Sequence, residues 1–337
     1  MGIYLIYLVH LPGMSGNFNL FFSVIVIPLF FFASGLTARA GAQKPLGEFV
    51  KAKVLRILWP YLLFGGITLL VKLVATEGAV LGDVIGWAKQ LVVGRRNGLF
   101  APALWFLPCF FLLSILYELL RRYLPGGKKL LVPVCCVLSL AARLAFDGPV
   151  LPWGADYALR YLFYYMLGDL LAQPLEKLRR GECALWVKLA AGAVFCGCGG
   201  LNLLFYLYGR GYIPGLFGVQ LGFVGQVIEI FCMAMAGLCC VVPLAMLAAP
   251  VQGLARLGRA TLILCCTETI TKTLVPAFFE AIGLTMRYET PLLGLVCTAI
   301  FLAAGYYALA RPILSYFPWA TGRFKNDRNT GKESVAI

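Results

Sequence analysis

Apolar residues fall in long, nearly uninterrupted runs rather than in alternation or in stripes. Runs near 18–38, 54–75, 102–121, 130–147, 158–175, 184–206, 223–248, 259–280 and 291–310 each approach the ~17 to 25 residues that a helix needs to cross a bilayer. A shorter apolar piece, 1–11, precedes them. Helical periodicity says little here, because a helix in lipid can be apolar all round. Pro12-Gly13, Pro125-Gly126-Gly127, Pro149, Pro152, Gly209 to Gly215 and Pro291 punctuate the runs, as turn chemistry requires. The pattern predicts an all-α polytopic membrane protein of about ten transmembrane helices.

Two stretches depart from it. Segment 76–101, mildly amphipathic from Asp83 to Val92, predicts a short interfacial helix on the outer side. The chain from Thr321 is polar and basic, which predicts a disordered tail over 321–337 and leaves 1–320 as one transmembrane domain. The first apolar piece, at about 1.5 Å per residue, covers only about half of a ~30 Å core, so the first helix is expected to be truncated. It lacks the basic opening of a secretory signal. No repeat of fixed period is visible.

Composition narrows the class. The 337 residues are 61% apolar and 13% charged, against about 45–50% and 25% in soluble domains, and mean hydropathy is +0.85. These values exclude a soluble globular enzyme. A net charge of +14 could suggest a nucleic-acid partner, but the basic residues sit in short loops and read instead as topology signals. Alternate loops hold 20 Lys and Arg in one set, including Arg39, Lys51, Arg121, Arg179, Arg256 and Arg311, and 6 in the other, Lys89, Arg95, Arg96, Arg160, Arg210 and Arg287. The bias predicts a multi-pass protein with both termini cytoplasmic. Most of the 12 cysteines lie inside apolar segments and read as helix-packing residues. With one histidine, a His/Cys metal site is not expected, and no nucleotide-binding or HExxH string occurs.

Few residues remain to carry chemistry. His10 is the only imidazole, suited to proton transfer near neutral pH; it could equally be an interfacial histidine facing headgroups. Lys53 and Arg56 are three apart at the cytoplasmic mouth of a span, where two cations could hold phosphates or merely mark topology. Trp105 reads alone as an interfacial aromatic, and Phe30 to Gly35 as lipid-facing and packing residues. Intramembrane charges are costly unless paired or wet. Lys72, Glu229, Glu268 and Lys272 lie furthest inside spans, with Asp169 next. Glu268 and Lys272, four apart, can pair on one face.

Taken in order, His10, Pro28-Leu-Phe-Phe-Phe-Ala-Ser34-Gly35, Lys53-Val-Leu-Arg56 before Pro60-Tyr61, Leu104-Trp105-Phe106-Leu107, Leu167-Gly168 and Leu257-Gly258-Arg259-Ala-Thr261-Leu262 resemble the integral-membrane acyltransferase type 3 family, the sugar O-acetylase-like group. The resemblance implies ten transmembrane helices and transfer of an acyl group, usually acetyl, from cytosolic acyl-CoA to a hydroxyl of an envelope glycan or lipid-linked sugar. It implies no bound cofactor beyond acyl-CoA as co-substrate. His10 matches the family's catalytic histidine; Lys53 and Arg56 match its basic pair, with Lys in place of the usual first Arg; Trp105 matches its fourth-helix tryptophan, and Ser34 falls in its second-helix string. Two departures matter. The charged opening before the histidine is absent, and Thr267-Glu268 stands where many relatives carry a second histidine. Glu268 is then the residue expected to orient His10. A covalent acyl-histidine and direct transfer both remain open, as do a carrier or flippase for an envelope glycolipid and an inactive relative.

Overall fold

A computed structural model describes residues 2–11, 17–41, 44–76, 78–146, 148, 150–248, 251–288 and 290–323. Among them there is helix and no strand. In chain order the helices used below are α1 (Gly2–Val9), α2 (Asn17–Gly35), α3 (Leu46–Ala75), α4 (Leu81–Val93), α5 (Phe106–Tyr123), α6 (Lys128–Ala145) and α7 (Ala155–Arg179). They continue with α8 (Leu185–Tyr208), α9 (Phe223–Leu247), α10 (Gln252–Arg259), α11 (Thr261–Ala281) and α12 (Leu292–Tyr316).

The nine long apolar runs correspond to α2, α3, α5, α6, α7, α8, α9, α11 and α12. Five of these, α3, α8, α9, α11 and α12, are long and apolar enough to cross a membrane by themselves. The others carry more charge or are shorter, and they bury it against neighbours: Glu118 in α5 and Asp156 and Asp169 in α7 are all buried. The largest boundary difference lies at α3, which begins at Leu46 and takes in the charged Lys51 and Lys53. α1 has 8 residues, as short as the apolar piece predicts. The interfacial segment holds α4, which Asp83 opens by accepting from the Val80 N–H at 3.0 Å and Gly94 closes at φ 60°, a value glycine adopts without strain.

Two helices widen at a proline. In α3 the Trp59 N–H reaches back five residues to the Val54 carbonyl, making a π turn over Val54–Leu58, with Pro60 next. In α12 the Arg311 N–H reaches the Tyr306 carbonyl over Gly305–Ala310, with Pro312 next. Proline has no N–H to continue the ladder and its ring crowds the preceding turn, so a widened turn relieves both.

The core forms where α2 crosses α7. A Cβ on Gly35 would strike the Tyr165 carbonyl, and one on Gly168 would strike the Phe32 carbonyl. Only glycines permit this approach. It draws the Phe30 to Gly35 string inward: Phe31 is fully buried and Phe32 nearly so, which corrects the expectation that these rings face lipid. Phe31 packs on Phe106, Phe110 and Tyr161, with ring centroids 5.0, 6.4 and 5.1 Å away.

The packed chain also runs past the boundary expected at 320. Thr321 is buried, and the turn Pro318–Thr321 sits on the π turn of α3: Trp59 Nε1 donates to the Trp319 carbonyl at 3.0 Å. Gly322, at φ 74°, lies so close that a Cβ there would strike the Leu55 carbonyl. Residues 324–337 lie outside the described residues.

Candidate active site

His10 follows directly on α1, its N–H still bonded to the Ile6 carbonyl at 3.2 Å. The ring of this residue is partly accessible, with 33% of the side chain exposed against 4% for Glu268. Its Nδ1 lies 3.0 and 3.1 Å from the two carboxylate oxygens of Glu268, on the second turn of α11. A carboxylate only accepts, so Nδ1 carries the proton and donates, which leaves Nε2 as the basic nitrogen of the neutral ring. Among the described residues none bonds Nε2.

The carboxylate is itself fixed. Lys272, one turn further along α11, pairs with Glu268 and donates to the Tyr7 carbonyl at 3.0 Å, its ammonium 5.2 Å from the Tyr7 ring centroid. The Tyr7 hydroxyl donates to the Leu264 carbonyl at 2.9 Å. Tyr7 therefore holds α11 one turn to either side of Glu268, while His10, three residues on, meets the carboxylate itself. A buried carboxylate bearing two partners avoids the large penalty of an unpaired charge. The sequence pairing of Glu268 with Lys272 is present, and the tie between Glu268 and the distant His10 makes it part of a triad-like chain, Lys272 to Glu268 to His10.

The basic pair lies elsewhere in the bundle. Lys53 points its ammonium between the rings of Phe49 and Phe110, 5.4 and 5.1 Å from their centroids, and the charges that face it are Arg56 and Glu118. Arg56 sits within the π turn of α3, so the helical register that spacing by three assumes does not hold there. No direct contact joins Lys53 or Arg56 to His10 among the described residues. Trp105 is buried and stands edge-on to Phe106 and Tyr157, at 6.4 and 5.3 Å, in an aromatic cluster separate from the histidine. The Ser34 hydroxyl is spent on the Phe30 carbonyl at 2.8 Å, a bond within its own helix.

Other intramembrane charges are accounted for one by one. Asp169 accepts from Arg39 Nε at 2.9 Å and from the Tyr117 hydroxyl at 2.7 Å. Glu229 accepts from the Gly211 N–H at 2.9 Å, and Lys72 lies 4.9 Å from the Trp87 ring centroid. Tyr7 was not legible as a site residue from the sequence; its spacing of three from His10 was the available signal. No cluster that could hold a metal ion occurs among the described residues.

No curated protein and no solved structure matches the chain. The family model described as an acyltransferase domain matches residues 1–311, a span that takes in His10, the basic pair and Glu268. An all-helical membrane protein whose histidine is held by a buried carboxylate, matched over nearly its whole length, belongs to the acyltransferase 3 family of membrane acyltransferases.

Proposed function

We propose that the protein is a membrane-embedded O-acyltransferase that moves an acyl group, in the first instance acetyl, from cytosolic acyl-CoA to a hydroxyl of an envelope glycan or lipid-linked sugar. The observation that carries this reading is the bond from His10 Nδ1 to Glu268, which leaves Nε2 as a positioned base. In the reaction the acceptor hydroxyl oxygen attacks the thioester carbonyl carbon, a C–O bond forms and the C–S bond breaks. His10 Nε2 takes the hydroxyl proton as the attack proceeds and passes it to the departing thiolate. Glu268 keeps the ring in the right tautomer and balances the imidazolium charge, while Lys272 and Tyr7 keep Glu268 in place. Lys53 and Arg56 are assigned to the donor's phosphates, and Trp105 and Ser34 to support of the helices around them.

The cation bias of 20 to 6 between alternate loops supports a cell-membrane protein with cytoplasmic termini and a donor taken from inside. Cysteine-accessibility labelling from outside the cell, at a cysteine introduced in 321–337, should fail; strong labelling there would overturn the cytosolic donor.

The direct test is transfer of label from acetyl-CoA to a crude envelope glycan by purified protein. Arg56→Ala should raise the apparent KM for acyl-CoA or abolish turnover in protein that still inserts. Unchanged kinetics at limiting donor would return Arg56 to a topology role. If His10→Ala retained full transfer, His10 would not be the base and the mechanism would be wrong; if the wild-type protein transferred no label, the carrier reading would replace the enzymatic one.

A further inference from the structure

Three arginines gather at the end of the bundle formed by the turn Arg96–Gly98, the end of α6 and the start of α7. The guanidinium of Arg96 lies 5.0 Å from the Trp105 ring centroid and 4.9 Å from that of Tyr157. Arg160 lies 4.9 Å from Tyr157 on its own account, and Arg143 lies 5.4 Å from Tyr161. The rings of Tyr157 and Tyr161 are themselves neighbours, with centroids 5.9 Å apart. Stacking of this kind occupies the flat face of a guanidinium and leaves its N–H edge able to donate.

Among the described residues no carboxylate forms an ion pair with Arg96, Arg143 or Arg160. Arg160 spends Nη2 on the Phe146 carbonyl and, at 3.5 Å, on that of Gly148. The one buried carboxylate nearby, Asp156, gives one oxygen to the Val150 N–H at 3.1 Å. Its other oxygen has no partner, and neither do Arg143 Nε and Arg160 Nε. Tyr164 and Asp156 are fully buried, and Tyr164 faces Arg143. Three buried side-chain atoms without a partner among the described residues, on Asp156, Arg143 and Arg160, thus lie in this one cluster. Buried polar atoms are nearly always satisfied, and a local concentration of exceptions calls for an explanation in function.

We propose that this cluster binds the anionic group of the acyl acceptor, a phosphate or carboxylate carried by a sugar, with the half-buried guanidiniums donating to the oxyanion. The inference rests on the acyltransferase reading and deepens it, because it names the acceptor's chemical class. Among the described residues three guanidiniums face one buried carboxylate, and an excess of positive charge suits an oxyanion and repels a cation. The cluster lies at the opposite end of α5, α6 and α7 from Arg121, Arg122, Lys128 and Arg179, so donor and acceptor would arrive from opposite membrane faces. An aromatic path joins the two regions: Tyr161 stacks on Phe31, Phe31 packs on Phe110, and Phe110 lies beneath Lys53.

The test is binding to the full-length protein in detergent, without acyl-CoA, by calorimetric titration with glucose 1-phosphate, glucuronate and glucose. The charged sugars should bind and glucose should bind much more weakly, and the stronger of the two charged ligands identifies phosphate or carboxylate as the group read. Arg143→Gln and Arg160→Gln should each weaken the charged sugars about 10- to 100-fold, the loss expected for one charge-assisted hydrogen bond, with glucose unchanged. Arg96→Gln, in a surface turn where folding is least at risk, should do the same. Equal binding of glucose and the charged sugars by wild type, or unchanged affinity in all three variants, would overturn the site. Binding needs no transfer, so intact charged-sugar binding with no acyl transfer would sink the enzymatic reading and leave the site standing. Wild-type transfer to a charged glycan with unaltered kinetics in Arg143→Gln would do the reverse.

Discussion

Asp169 and Glu268 are both buried carboxylates inside helices of a membrane protein, and each holds a cation and lies against a tyrosine, yet they do different work. Asp169 is closed. One oxygen takes Arg39 Nε and the other the Tyr117 hydroxyl, while a second nitrogen of Arg39 reaches the Asp169 carbonyl at 3.2 Å. None of these partners exchanges a proton readily at neutral pH. Glu268 instead shares its charge between Lys272 and an imidazole, the one partner able to gain and lose a proton there, and that imidazole keeps an accessible edge. A carboxylate surrounded by fixed donors ties helices together; one that orients a titratable ring can serve a reaction. The difference lies in the partner, not in the acid.

The contrast can be broken from either side. The largest effect is expected at His10: removal of a general base costs about 10² to 10⁴ in rate, so His10→Ala should abolish nearly all label transfer while the thermal midpoint in detergent barely moves. A large fall in that midpoint would show that the triad is structural after all. Asp169→Ala should behave in the opposite way. Removing one partner of a fully buried ion pair costs about 3–5 kcal/mol; the loss here should be smaller, because 33% of the Arg39 side chain is exposed and water can replace part of the carboxylate, and it is read as a lowered midpoint. A stable Asp169→Ala with lost transfer would instead place Asp169 in the reaction.

Glu268→Gln should fall between the two. It keeps the volume and a hydrogen bond to His10 but loses the charge that balances the imidazolium, so transfer should drop, though less than in His10→Ala, with a modest loss of stability from the stranded Lys272. A drop as large as that of His10→Ala would make the carboxylate an equal partner in proton transfer. The smallest effect is expected at Ser34, whose hydroxyl bonds only within its own helix. Ser34→Ala should cost no more than about 1 kcal/mol and leave transfer unchanged, and a large loss of transfer would bring Ser34 into the acyl path.

Much of this was open to reading along the chain. Long apolar runs mark the membrane helices because the bilayer imposes a length and forbids unsatisfied backbone polarity, and both constraints act locally. His10 stood out by being alone, and Glu268 with Lys272 by a spacing of four. The contact of His10 with Glu268, across 258 positions, depends on how α1 leans on α11, and no local rule contains that. The same holds for Phe31, whose apolar surroundings would suit lipid or core equally well. Its burial is decided by two glycines, Gly35 and Gly168, that let helices far apart in sequence meet. Arg96, Arg143 and Arg160 were separate loop or helix charges until packing stacked them on one set of rings. Sequence alone determined which segments enter the membrane and which side chains could do chemistry, since solvation energy is a property of each segment. Tertiary structure decided which of those side chains share a site, since pairing across the bundle depends on the crossing geometry of helices whose contact residues are neighbours only in space.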